Sequence, residues 1–194
     1  MRRWGAISGA VAALLLNACT GEPHDAVLPE PQQTNIMGSF QADGMKRVAR
    51  FDATVLVLSR KSYTGIFGDE MAEYSPFDLA VAWGEGALAD VYGALSISQS
   101  NRFFYWKASN EAWQDPRVRR FGRNAGNWHI VPETDAVMDD FFEVMEGDVV
   151  QMEGFLVDIQ GPRNFVWKTS RKRSDSGPGA CEIFLVTKVS VVES

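Results

Sequence analysis

The chain has 194 residues, 45% hydrophobic, 23% charged and 11% aromatic, with 17 Gly and 8 Pro, which suits one ordinary globular core and excludes collagen-like, coiled-coil and wholly disordered chains. Nineteen basic against 25 acidic side chains leave a net charge of −6, so no global positive field gathers nucleic acid and no nucleic-acid partner is expected. Two Cys and two His supply neither a four-ligand zinc site nor a disulfide framework, and no metal or cofactor is expected.

Arg2 and Arg3 precede an apolar run at 10–16, a positive n-region and an h-region of signal-peptide length that is too short to span a bilayer comfortably. Leu16-Asn17-Ala18-Cys19 follows at once and resembles the lipobox of bacterial lipoproteins. That resemblance implies cleavage before Cys19, a diacylglycerol on its thiol and an acylated amino group. Residues 1–18 are then a removable signal peptide and Cys19 is the lipidation site, with acyl chains contributing roughly 0.8 kcal/mol per buried CH2. The alternative is a plain secretory signal cut after Ala18, for which Leu16 fits the minus-three position poorly. Thr20 stands where Asp would resemble an inner-membrane retention signal, so the expected location is the bacterial outer membrane, facing the periplasm. Cleavage removes two basic and no acidic side chains and takes the net charge from −6 to −8. The membrane is therefore expected to be a partner through the lipid and not through surface charge.

Residues 19–44 are rich in Pro, Gln, Asp and Gly without periodicity and read as a flexible tether; the globular domain is expected over 45–194. Val55-Leu56-Val57-Leu58 suits a strand buried on both faces. Ser75 as cap, Pro76 at the first helical position and Asp78 in the first turn predict a short helix ending at Gly84. A strand follows at 102–107, then a polar loop to Gly126 with one helical turn, then a strand at 128–131 stopped by Pro132. Thr134 opens an amphipathic helix over 134–146, with Met138, Phe141, Phe142 and Met145 on its apolar face and Asp139, Asp140, Glu143 and Glu146 opposite. The strand at 148–160 changes phase at Gly154, which predicts a bulge or bend. Strand-like stretches at 165–170 and 181–192 close the chain, the last with Cys181, Ile183, Leu185, Val189 and Val191 on one face. The expected fold class is a single α+β domain with a curved, mostly antiparallel sheet.

The strings Ser75-Pro76-Phe77-Asp78-Leu79-Ala80 with Trp83-Gly84, Ser98-Gln99-Ser100-Asn101-Arg102-Phe103, Asn127-Trp128-His129-Ile130-Val131-Pro132, Gly147-Asp148-Val149-Val150 and Gly179-Ala180-Cys181-Glu182 resemble a group of bacterial hypothetical proteins with no assigned activity, so no functional residue carries over. The Gly-Asp-Val opening of a Gly-bent strand is also similar to the start of many small OB-like barrels, which bind oligonucleotides, saccharides or proteins. Fold by itself does not assign function.

With Cys19 given to lipid, Cys181 has no intramolecular partner. Three readings stay open: a buried structural thiol in phase with Ile183 and Leu185, an intermolecular disulfide, or a nucleophile paired with His129 and oriented by Asp175 or Glu182. His129 otherwise reads as a strand-end residue bonded to a nearby loop. The loop at 168–180 carries Arg171, Lys172, Arg173 and Asp175, and Arg117, Arg119, Arg120 and Arg123 form a second basic cluster. Either cluster suits an anionic ligand or a solvated surface; Trp106, Trp128 and Trp167 offer stacking faces or core. The acidic helix face has no EF-hand spacing, and P-loop, dinucleotide, Gly-x-Ser-x-Gly and His-Glu-x-x-His patterns are missing. The expected role is therefore a lipid-anchored envelope module that binds or scaffolds an envelope protein or anionic ligand, with Arg102, Trp106, His129, Arg171, Arg173 and Asp175 as candidate binding residues. The alternative is a thiol hydrolase or acyltransferase using Cys181 and His129.

Overall fold

In the computed structural model, which describes residues 23–64, 69–162, 165–173, 175, 177 and 179–193, Gln32–Asn35 (β1) leads into the 18-residue strand Met45–Ser62 (β2). Phe77–Ala82 (β3), the short helix Ala89–Tyr92 (α1), the hairpin Leu95–Ser100 (β4) and Phe103–Ala108 (β5), and the helix Pro116–Arg120 (α2) follow. Ala125–Pro132 (β6), the helix Asp135–Glu143 (α3), Val149–Gln160 (β7), Val166–Trp167 (β8) and Glu182–Glu193 (β9) complete the chain. The signal segment and Cys19 lie outside the described residues.

The architecture is α+β, with a large curved sheet and few short helices. Pairings run β2–β3–β6–β9–β7 and return from β7 to β2, so five strands form a closed cycle. The β6–β9 pairing is parallel and the other pairings are antiparallel. One length of strand serves two neighbours because β2 is long: its first part pairs with β1 and β7, its last part with β3. Alternating residues fill the interior, among them Phe51 and Val55 of β2, Leu79 of β3, Trp128 of β6, Met152 of β7 and Phe184 of β9. Phe51, Trp128 and Phe184 meet edge to face at 4.9–5.9 Å. Each large side chain so buried contributes about 1.5–3 kcal/mol. Val137 and Phe141 of α3 belong to the same cluster. Outside the ring, the β4–β5 hairpin, α1 and α2 cover Leu56 and Ala82, and a third cluster on another flank joins Val131, Val157, Ile159, Ile183 and Leu185 to Trp167.

Several local expectations give way to packing. The stretch expected to be a helix from Ser75 is β3, because Phe77, Leu79 and Val81 fill the ring while Ala82 packs under the hairpin side. Instead of capping a helix, Ser75 Oγ donates to Phe77 O at 3.1 Å. The polar stretch before Gly126 holds α2 and two 3-10 turns, with Asp115 accepting the Arg117 amide at 2.7 Å and Pro116 at the first helical position. The helix expected over 134–146 is present but shorter, Asp135–Glu143, with Thr134 as its cap, the hydroxyl accepting from the Val137 amide at 3.3 Å. The buried face of that helix is rotated, however: Val137 and Phe141 point inward, while Phe142 and Met145 stay exposed. The bulge expected at Gly154 falls opposite it, where the β7–β9 register shifts and Thr187 is the extra residue, its hydroxyl donating to Glu153 O at 3.0 Å. That shift puts Val189 on the face of Phe184 and Val186 rather than with Ile183 and Leu185. Within the stretch expected as a tether, β1 is paired and Leu28 is buried.

Candidate functional site

The outer face of β3 and β6 carries the charged centre of the protein. Strand alternation turns Asp78 and His129 outward, and the register sets them directly opposite one another. Asp78 Oδ1 is 2.8 Å from His129 Nδ1. A carboxylate oxygen accepts, so Nδ1 carries the proton and Nε2 is left as the ring's second polar atom. Both residues are nearly inaccessible, at 1% and 4% exposure.

Above them the hairpin turn at Asn101 and Arg102 has two left-handed residues, φ 51° and 66°, the twist that a two-residue hairpin loop needs. Arg102 is only 7% exposed, and its guanidinium is bonded through all three nitrogens. It donates to both oxygens of Asp69 at 2.7 and 2.6 Å, to Ser75 O at 2.9 Å and to Asp78 Oδ1 at 3.1 Å, and it lies 3.8 Å over the Tyr63 ring. Its amide donates to Tyr63 Oη at 3.2 Å, and Asn127 Nδ2 donates to its carbonyl at 3.2 Å. The hydrogen bonds from Arg102 hold the Asp69 carboxyl below its usual range, and burial followed by the nearby Asp78 charge pushes the Tyr63 phenol up to about 12. Arg102 thus pins the hairpin to the ring.

Between this hairpin and β8 opens a cleft of about 720 Å³ lined by Phe103, His129, Val166, Trp167, Lys168 and Cys181, among others. The Trp167 ring stands 4.7 Å from that of His129. Cys181 shares the cleft with His129, yet in the parallel register it falls beside Asn127, about 7 Å along the strand from His129. Among the described residues its sulfur's hydrogen bond comes from Asn127 Nδ2 at 4.0 Å. Burial, with Glu182 and Asp78 adding to it, pushes the thiol up to about 12, so it is protonated at neutral pH and a poor nucleophile.

The other sequence candidates lie elsewhere. Trp106 stacks on Trp113 at 6.0 Å and meets Phe121 edge-on at 5.3 Å, lining a smaller cavity of about 290 Å³ with Asp175, Arg173 and Glu182. Asp175 accepts from Ser170 Oγ at 2.8 Å, and Arg173 donates to Gln33 Oε1 at 3.1 Å. Arg171 lines a separate depression. Asp69, Tyr63 and Asp78 are the members that reading by sequence missed. Asp78 had a signal: a charge inside the apolar run Phe77-Asp78-Leu79-Ala80-Val81 needs a buried partner. Asp69 and Tyr63 had none. Among the described residues no three His, Cys, Asp or Glu side chains are placed to hold a metal ion. Comparison with known proteins finds no family model, no curated protein and no solved structure that matches the chain.

Proposed function

We propose that the folded part is an OB-type barrel acting as a binding module at the bacterial envelope, carried there by lipid on Cys19, with its ligand in the cleft over β3 and β6. The strand cycle supports the barrel reading. Its first strand pairs with the second and fourth, its third and fifth are parallel, and a helix joins the third to the fourth. Barrels of that class bind on the face of their second and third strands, beside the loops joining strands one to two and four to five; the corresponding parts here are β3, β6 and the segments 63–76 and 161–181.

The observation that carries the functional reading is the His129 ring, fixed from behind by Asp78 and set at the floor of an aromatic-walled cleft. Such a site takes a ligand with a flat apolar face for Trp167 and Phe103 and a hydrogen-bonding edge for the imidazole. A saccharide of the envelope has both, and a chain of net charge −6 does not favour a polyanion there. The thiol hydrolase or acyltransferase reading has Cys181 and His129 in one cleft in its favour. A protonated thiol bonded to Asn127 argues for binding instead.

Titrating the protein with soluble muropeptides while following tryptophan fluorescence tests the module. Saturable quenching is expected, with affinity falling about tenfold, or ~1.4 kcal/mol, in Trp167→Ala and His129→Ala; no saturable change, or equal affinity in both variants, defeats this ligand class. Cys181 is expected to react with iodoacetamide only on unfolding, and rapid alkylation of the native protein would restore the enzyme reading. Mass spectrometry of the N-terminus tests the anchor, which an unmodified terminus other than Cys19 overturns.

A further inference from the structure

Arg123 and the pair Arg171 and Arg173 are some fifty residues apart in sequence, yet they line one surface depression of about 420 Å³ together with Glu30 and Gln33. The arginines next to Arg123 in sequence are occupied. Arg117 pairs with Asp90 and Asp115 at 2.8 and 2.6 Å, Arg120 pairs with Glu85 at 2.9 Å, and Arg119 donates to the carbonyls of Trp113 and Gln114. Among the described residues, the guanidinium groups of Arg123 and Arg171 have no hydrogen-bond or ion-pair partner. Arg173 spends one donor on Gln33 and stands 3.8 Å from Glu30, whose side chain is mostly exposed. Three cations against one carboxylate leave a local charge near +2 on a chain whose net charge is −6. Like charges gathered in this way repel one another unless an anion sits among them.

We propose that this depression is a binding site for a phosphoryl group, carried either by a phospholipid headgroup or by a soluble phosphate. Three arginines lining one depression from two segments supply enough donors for the several oxygens of a tetrahedral phosphate, whereas a carboxylate offers two coplanar oxygens and is satisfied by one fork. Glu30 sits at the rim as a weak, long partner that the stronger acceptor displaces from Arg173. The site shares no lining residue with the cleft over His129, so it stands independently of the saccharide reading. A lipid source has a feature of its own in its favour. Arg171 also borders a neighbouring depression with Ile36, Met37 and Lys46, where Met37 is fully exposed beside the cations.

The test uses the full chain in neutral detergent, titrated calorimetrically with inorganic phosphate, with monomeric short-chain phosphatidylglycerol and with acetate. Saturable binding of at least one phosphate compound is expected, weakening with added salt and falling about tenfold in the double variant Arg123→Ala with Arg171→Ala. Both side chains are exposed and unpaired, so the variant is expected to keep its melting temperature, and an unchanged circular dichroism spectrum serves as a second check of folding. Binding of phosphatidylglycerol alone assigns the headgroup as source; binding of inorganic phosphate alone assigns a soluble phosphate. Failure of both to bind, binding unchanged in the double variant, or acetate binding as tightly as phosphate overturns the proposal.

Discussion

Glu182 begins β9 beside Trp128 of β6 and is only 4% exposed. Burial pushes its carboxyl up to about 8, with the Asp175 charge adding to the rise and Arg173 opposing it. The folded chain then keeps a proton that the unfolded chain releases near pH 4.5. The stability tied to that proton is full below about pH 4.5 and is lost as pH rises toward 8, by up to ~1.4 kcal/mol per pH unit. Cys181 has the same sign but acts only above pH 9, and Asp69, held low by Arg102, acts below pH 4 with the opposite sign. Of these three groups, Glu182 is the one whose contribution changes between pH 5 and 8. Thermal melts of Glu182→Gln are expected to decline less steeply with pH across that window than those of the parent, and parallel slopes would show that this carboxyl titrates normally. Composition gave no hint of a neutral Glu, because Glu182 reads as an ordinary polar residue at a strand start. Its burial comes from the parallel register with Trp128, a pairing between segments more than fifty residues apart. His129 and Cys181 could be singled out because they are rare, whereas Asp69 and Tyr63 join the site only once Arg102 has folded back over them.

At the scale of elements, what could be read locally was what depended on one strand or one helix. Thr134 and the acidic face announced α3, and the doubly apolar 55–58 stretch announced the middle of β2. The full length of β2 was hidden because its register against β7 shifts between Arg47 and Ala49, which buries Val48 and Ala49 in succession and breaks the alternation. The Ser-Pro signal at 75–76 lost to the pairing of β3 between two long neighbours, an override that propensity does not contain. Gly154 was legible because it marks where the register of β7 against β9 shifts, and its reason is steric. A Cβ there would stand 2.0 Å from Leu185 O, a backbone atom that cannot swing aside. Gly154→Ala is accordingly expected to cost about 3 kcal/mol in urea unfolding. Gly147 makes a matched control: its φ is +98° but an added Cβ would meet nothing within 4 Å, so Gly147→Ala should cost only about 1 kcal/mol of backbone strain. Equal losses at the two positions would show that close approach to β9 is not what Gly154 serves.

For the whole molecule, the segment before Met45 decides how the ring is finished. β2 pairs with β3 from Leu56 onward, so the same edge of its earlier part is open, and β1 occupies it at Ala49, Arg50, Phe51 and Asp52. Farther upstream Leu28 bridges to Gly84, accepts from the Gly84 amide at 2.9 Å and packs with Leu56, Ala82 and Phe121. Gln33 in turn holds Arg173, which links this segment to the 168–180 loop and to the phosphoryl site. Its Pro- and Gln-rich composition resembles a linker because an edge strand with one paired side shows little periodicity, and its buried residues His24, Leu28 and Pro31 follow no strand alternation. A chain beginning at Met45 is expected to lose the Leu28 burial, about 2–3 kcal/mol, together with the β1 pairing, relative to a chain beginning at Pro23. Urea unfolding should show a lower midpoint with little change in slope, since few residues are removed from the cooperative unit. Amide exchange should quicken at residues 49–52 and leave β7 and β9 protected, because the ring itself remains closed. Equal midpoints and unchanged exchange would mean that the tether extends to Gly44 and that β1 merely rests on the ring of strands.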